Sequence, residues 1–121
     1  MAAKVAKRAI APWPITLQPL NNGRDWMLVK PYARGAWTVP AGFVTDLASV
    51  PAAARGLVAT WGKHGPAAIL HDWMYRTQLD GLTRRMADRI MLEVMRQDGV
   101  GWLKRRAIYA AVRLGGGKHW I

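Results

Sequence analysis

Hydrophobic and polar positions change rhythm once along the chain. From Asp25 to Tyr32, and again from Ala36 to Val44, apolar and polar residues partly alternate and Trp, Val and Tyr recur. Alternation of this kind marks half-buried strands, and the turn Ala33-Arg34-Gly35 between the runs predicts a β-hairpin. Pro31 and Pro40 mark strand ends or edges, because proline has no N–H to give to a ladder. The first 24 residues, with Pro12, Trp13, Pro14, Pro19 and then Asn21-Asn22-Gly23, read as an extended arm closed by a turn. Beyond Pro51 the period becomes helical. One helix is predicted from Gly65-Pro66 to about Gln78, with proline at its first position. A second is capped by Thr83 and stops at Asp98-Gly99, with Met86, Ile90, Met91, Val94 and Met95 on one face. A third runs from about Trp102 to Leu114, with Leu103, Ala107, Ala110 and Leu114 as its inner stripe, and Gly115-Gly116-Gly117 ends it. A short helix is also expected around Ala52 to Ala59. The fold class expected is α+β and mostly helical: a basic arm over 1–24, then one domain over 25–121 in which a small N-terminal β-hairpin packs on three helices.

At 121 residues the chain suits one domain with a core of its own. It contains no cysteine, which excludes disulfides, cysteine nucleophiles and cysteine-bound zinc. No apolar run approaches the roughly 18 residues of a membrane span, and the basic start carries no signal-peptide core. Synthesis in the cytoplasm is therefore expected. Most of the net charge of +11 sits at the two ends: Lys4, Lys7, Arg8 and Arg24 at one, Lys104, Arg105, Arg106, Arg113 and Lys118 at the other, and no acid at either. Such ends suit phosphates of lipid or nucleic acid, or an acidic protein; equally, they serve solubility alone. No zinc-finger, aromatic RNA-binding or GXXG signature accompanies the charge, so nucleic acid ranks last among these partners.

The informative residues are polar ones inside apolar helices. His71 and Asp72 lie at the centre of Pro66-Ala67-Ala68-Ile69-Leu70-His71-Asp72-Trp73-Met74-Tyr75. At 100° per residue, His71 shares a face with Ala67, Met74 and Tyr75 and points toward the core. A buried imidazole needs a partner for each nitrogen, and a buried carboxylate needs donors or a cation. Asp88, at the flank of the second helix's apolar stripe, would accept a hydrogen bond from His71 if the two helices pack antiparallel. That bond would fix the tautomer and leave the other nitrogen as a general base for water. Asp72 would then hold a metal ion or a water, with Asp46 as a further ligand. The plain alternative stands beside it: His71, Asp72, Tyr75 and Asp88 form a buried network that only fixes helix register. Likewise Asp46 and Ser49 suit caps of a following helix, and Ser49 lacks the elbow of a serine hydrolase. His64 and His119 read as surface residues. Trp13, Trp26 and Trp37 suit core, or a sticky surface if the β element is small.

The strings Val39-Pro40-Ala41-Gly42-Phe43-Val44-Thr45-Asp46-Leu47-Ala48-Ser49-Val50-Pro51 and Gly65 to Tyr75, with Ala87-Asp88-Arg89 and Tyr109-Ala110-Ala111-Val112-Arg113, resemble an uncharacterised family of tailed-phage and prophage proteins. The resemblance spans about residues 25–117. It implies a phage or prophage origin, often near tail and lysis genes, hence synthesis in a host cytoplasm, virion association and other phage structural proteins as partners. It implies no activity, because that family is a domain of unknown function. A looser resemblance, His71-Asp72-x-x-Tyr75 followed by Ala87-Asp88-Arg89, is to the helix pair of secreted phospholipase A2. By that likeness His71 is the general base, Asp72 a calcium ligand, Asp88 the group that orients His71, and Tyr75 a donor to the same carboxylate. The substrate implied is a phospholipid ester, and anionic lipid a partner. The chain departs from that pattern in its missing cysteines, its short interval between helices, and Trp61-Gly62-Lys63-His64-Gly65 where a calcium loop would stand. The expectation is thus a small phage hydrolase with a His–Asp site, or a non-catalytic virion or assembly protein with a structural network.

Overall fold

A computed structural model of the chain describes residues 15–46 and 62–120. Five short strands precede three helices: β1 (Leu17–Pro19), β2 (Trp26–Leu28), β3 (Tyr32–Arg34), β4 (Trp37–Val39), β5 (Val44–Thr45), α1 (Gly65–Thr77), α2 (Arg84–Gln97) and α3 (Trp102–Gly115), with a 3₁₀ turn over Gly117–His119. The fold class is therefore α+β, with more helix than strand. The chain divides into two compact units after Thr45, whereas the basic arm expected from the sequence ends at residue 24. No described helix is long and apolar enough to cross a membrane.

In the first unit the expected hairpin is present but interrupted. Trp26 faces Thr45 and Met27 faces Val44, while Tyr32 faces Val39 and Arg34 faces Trp37. One antiparallel register thus runs through both ladders, broken where Pro31 and Pro40 deny the donors that would join them. Gly35, at φ 57°, takes the first place of the two-residue loop between β3 and β4, where tight hairpins need a positive φ. The single hairpin expected from the sequence is therefore corrected to a three-stranded sheet, β1-β2-β5, and a separate two-stranded ladder. The added strand, β1, lies within the segment read as an extended arm. It pairs Leu17 with Leu28 and Pro19 with Trp26. Between them Asn22 Oδ1 accepts the backbone N–H groups of Arg24 (3.0 Å) and Asp25 (2.9 Å), closing the turn. Leu28, Tyr32, Val39 and Thr45 are buried; Trp26 and Trp37 are half-buried. Trp13, Ser49 and the helix expected over 52–59 lie outside the described residues.

The helices begin and end where the punctuation predicts. α1 carries Pro66 in its first turn and stops at Gln78, which turns left-handed at φ 45°. Thr83 caps α2 by accepting the N–H of Met86 at 3.1 Å, a contact of about 1 kcal/mol. Ten of the thirteen residues of α1 are buried, which makes it the central helix of this unit. Burial of side chains such as Ile69, Leu70 and Met74 contributes roughly 1.5–3 kcal/mol each.

Two faces differ from expectation. On α2 the buried side chains are Ala87, Asp88, Met91, Val94 and Met95, while Met86 is exposed. On α3 the buried pair is Ile108 and Val112, and Leu103 and Leu114, expected inside, are 76% and 89% exposed. Ala110 is exposed as well. α3 carries two apolar stripes; Ile108 and Val112 turn inward, and Arg113, at the edge of the other stripe in the last turn, reaches a buried carboxylate on α2. Leaving that carboxylate without its cation would cost more than leaving two leucines in water.

Candidate functional site

The centre of the second unit is Asp88, whose side chain is 0% exposed. Ala87 and Asp88 occupy the inner face of α2, so the carboxylate enters the core beside α1. Its Oδ1 accepts the Tyr75 hydroxyl at 2.5 Å and lies 2.7 Å from His71 Nε2. Its Oδ2 accepts Arg113 Nη1 from α3 at 2.7 Å. Three helices thus meet on one carboxylate. Burial alone would raise the Asp88 carboxyl, but the hydrogen bonds from His71, Tyr75 and Arg113 outweigh it and hold it below the usual carboxylate range. An ionised carboxylate only accepts, so Nε2 of His71 carries the hydrogen. Burial, and then the bond to Asp88, push the Tyr75 phenol well above its ordinary value, so it stays a neutral donor.

A second arginine ties the network to the end of α3. Arg84 Nε donates to the Tyr75 hydroxyl at 3.2 Å, and its Nη2 donates to the carbonyls of Val112 (2.7 Å) and Arg113 (2.8 Å). Those carbonyls belong to the last turn of α3, the negative end of the helix dipole, where a cation is favoured; Val112 O also accepts the Gly116 N–H. Gly116 follows directly. A Cβ there would lie 2.5 Å from the Val112 carbonyl oxygen and 3.1 Å from the Tyr75 hydroxyl, so only glycine lets the chain pass this close. The Tyr75 ring stands 4.2 Å from the His71 ring and meets Trp120 edge-on at 5.2 Å.

His71 is 3% exposed and lines a small cavity with His64, Ala68, Met91, Met95, Ile108 and Val112. The cavity measures about 10 Å³, about the room one water needs. His64, Ala68 and His71 thus share this cavity with Met91 and Met95 of α2, beside the His71–Asp88 contact. His64 was expected at the surface; it is buried and shares the cavity with His71.

The residues singled out from the sequence part company here. His71, Tyr75 and Asp88 come together. Asp72 is buried, but its Oδ1 pairs with Arg76 Nε one turn along the same helix at 3.3 Å. Asp46 is half-buried at the start of the second unit. Among the described residues no three His, Asp or Glu side chains gather to hold a metal ion. A calcium site needs six to eight oxygen ligands, and a carboxylate already paired with arginine does not suit it. His119 lies exposed on the 3₁₀ turn.

Sequence reasoning missed Arg84, Arg113, Gly116 and Trp120. The signal for one of them was present, since a buried carboxylate calls for a cation and Arg113 closes a recognisable string. For Arg84 and Gly116 none was, because their contacts form only once α3 is docked.

Comparison with protein families matches residues 24–112 to the protein of unknown function DUF1353. Neither the curated proteins nor the solved structures yield a match, and so no solved phospholipase A2 fold supports the likeness of the helix pair. The match covers most of the chain, including His71, Tyr75, Arg84, Asp88 and Val112, and the chain belongs to the DUF1353 family.

Proposed function

We propose that the chain is a small hydrolase in which His71, oriented by Asp88, is the general base. One observation carries the reading: a single ionised carboxylate oxygen, Asp88 Oδ1, takes both His71 Nε2 and the Tyr75 hydroxyl. With Nε2 committed, Nδ1 is the nitrogen left to take a proton from water. The water oxygen then attacks the carbonyl carbon of an ester or amide. The imidazolium returns its proton to the leaving group as the carbon–oxygen or carbon–nitrogen bond breaks. Asp88 stabilises the imidazolium between those steps, and Tyr75 and Arg113 keep the carboxylate in place. Each of these steps is carried by the chain's own residues. A phospholipid ester is the substrate class that the phospholipase A2 likeness and the basic chain ends favour. A phage or prophage setting, with virion association, is part of the same proposal and rests on the sequence resemblance.

A second reading has its own observation. His71 is 3% exposed, the adjoining cavity has room for about one water, and both oxygens of Asp88 are occupied. A network so closed suits a non-catalytic phage virion or assembly component whose polar core specifies helix register.

The test is fatty-acid release from vesicles of mixed zwitterionic and anionic phospholipid by the purified full chain, with calcium and with chelator. His71→Gln and Asp88→Asn run beside it, with circular dichroism to check folding. Release that survives chelator and falls at least a hundredfold in folded His71→Gln is the expected result. Absence of release by the unmodified chain under every condition would leave the second reading standing.

A further inference from the structure

The stripe of α3 that the sequence assigned to the core is instead an apolar face with no described residue covering it. Trp102 is 62% exposed, and Leu103 and Leu114 are more exposed still. At 100° per residue these three fall on one side of the helix with Ala107, Ala110 and Arg106. Ala110 and Arg106 are exposed and Ala107 is half-buried. Two large leucines and a tryptophan on one helix face are unusual in water; isolated apolar residues are common, a contiguous row is not.

Charge says what suits it. From residue 99 to the end of the chain there are five basic residues and no acid. Arg106 and Lys118 are exposed, while Arg113 is spent on Asp88. A second copy of α3 docked on this face would set Arg106 against its own kind, with no acid on either helix to relieve it. Anionic lipid offers both things this face lacks: hydrocarbon for Leu103 and Leu114, and phosphate for the guanidinium of Arg106 between them. Arginine at such a position extends its charge to the headgroups while its stem covers apolar surface. Tryptophan has the amphipathic ring that settles at the same depth. We propose that the exposed face of α3, formed by Trp102, Leu103, Arg106, Ala110 and Leu114, docks on the surface of an anionic phospholipid bilayer. The helix lies in the interface plane and does not span it.

This inference does not depend on the hydrolase reading, because binding is measured without turnover. The full chain is mixed with vesicles of phosphatidylcholine alone or with three-tenths phosphatidylglycerol, and bound protein is separated by flotation. Leu103→Glu and Leu114→Glu are compared with Asn21→Glu, which makes the same charge change at an exposed turn of the first unit. Since the substituted leucines are exposed, all three variants are expected to unfold at the same urea concentration as the parent. Expected is binding to the anionic vesicles, on the order of tenfold weaker on phosphatidylcholine alone. Leu103→Glu and Leu114→Glu would lose binding by at least tenfold, while Asn21→Glu keeps it within about twofold. Three results would overturn the proposal: no binding by the parent chain, equal binding by the leucine variants, or a concentration-dependent dimer that Leu103→Glu dissolves in the absence of lipid. The last would assign the face to a second copy, and no binding to lipid with capture by a polyglutamate peptide would assign it to an acidic protein.

Discussion

α1 and α3 are of nearly equal length and are held in place by different forces. α1 buries ten of its thirteen residues, α3 only two of fourteen. The first is central because apolar area removed from water holds it there. The second lies at the surface, fastened by Ile108 and Val112 and by guanidinium groups at its C-terminal end: Arg84 on the carbonyls of Val112 and Arg113, and Arg113 on Asp88. Burial tolerates small changes in direction, whereas a charge-assisted bond of 2.7 Å to a buried group does not. The lesson is that a short set of polar contacts can choose which side of an amphipathic helix faces in. The same contacts leave an apolar side facing out.

The comparison breaks hardest at the carboxylate common to both helices. Asp88→Ala leaves His71, Tyr75 and Arg113 directed at nothing, and a loss of about 3–5 kcal/mol in urea unfolding is expected. Asp88→Leu, which fills the space but supplies no acceptor, should do no better if the donors rather than the volume matter. A pair of truncations then sharpens the contrast. Ile69→Ala in α1 should cost about 2–5 kcal/mol, while Leu114→Ala in α3 should change stability by less than about 0.5 kcal/mol. Comparable losses at the two positions would show that α3 buries the face found exposed. Gly116→Ala tests the fastening itself. Its Cβ must push against the Val112 carbonyl or the Tyr75 hydroxyl, and a loss of about 1–3 kcal/mol is expected.

The gentlest test is pH. The folded carboxyl of Asp88 lies below its ordinary value of 3.8. Its contribution to stability is therefore complete above that value and disappears as pH falls through the lower folded one. Tyr75 runs the other way: its folded value is raised above the ordinary 10.0. Its contribution is complete below pH 10 and is lost as pH climbs toward the folded value. Unfolding followed by fluorescence from pH 2 to 11 should show a plateau between those limits. Tyr75→Phe should remove the part of the alkaline decline that comes from Tyr75, and a decline of unchanged size would disprove the assignment.

Much of the helical unit was legible in the chain. Proline at a helix start, threonine before Arg84, and glycine after Asp98 and after Leu114 act through local backbone geometry, so they mark ends wherever the helices go. The His71–Asp88–Tyr75 contact was legible for a related reason. Polar groups in apolar helices must find one another, and a short connection between α1 and α2 leaves few ways to do so. The strands were half legible: turn chemistry placed the hairpin, but β1 joined it from a segment whose prolines read as an arm. Calcium was implied only by the likeness to phospholipase A2, and not by the residues themselves.

What the sequence determined by itself is therefore local or charge-bound: where helices begin and end, which polar side chains need partners, and the excess of positive charge at both ends of the chain. What only the tertiary structure decided is the choice between equals. α3 offers two stripes, Leu103-Ala107-Ala110-Leu114 and Ile108-Val112, of similar apolar character. Hydrophobic burial scales with apolar area and by itself would not turn the leucine stripe outward. The choice fell to Arg84, Arg113 and Gly116, residues that gain their partners only when the helices are assembled, because hydrogen bonds to a buried carboxylate and to helix-end carbonyls are directional.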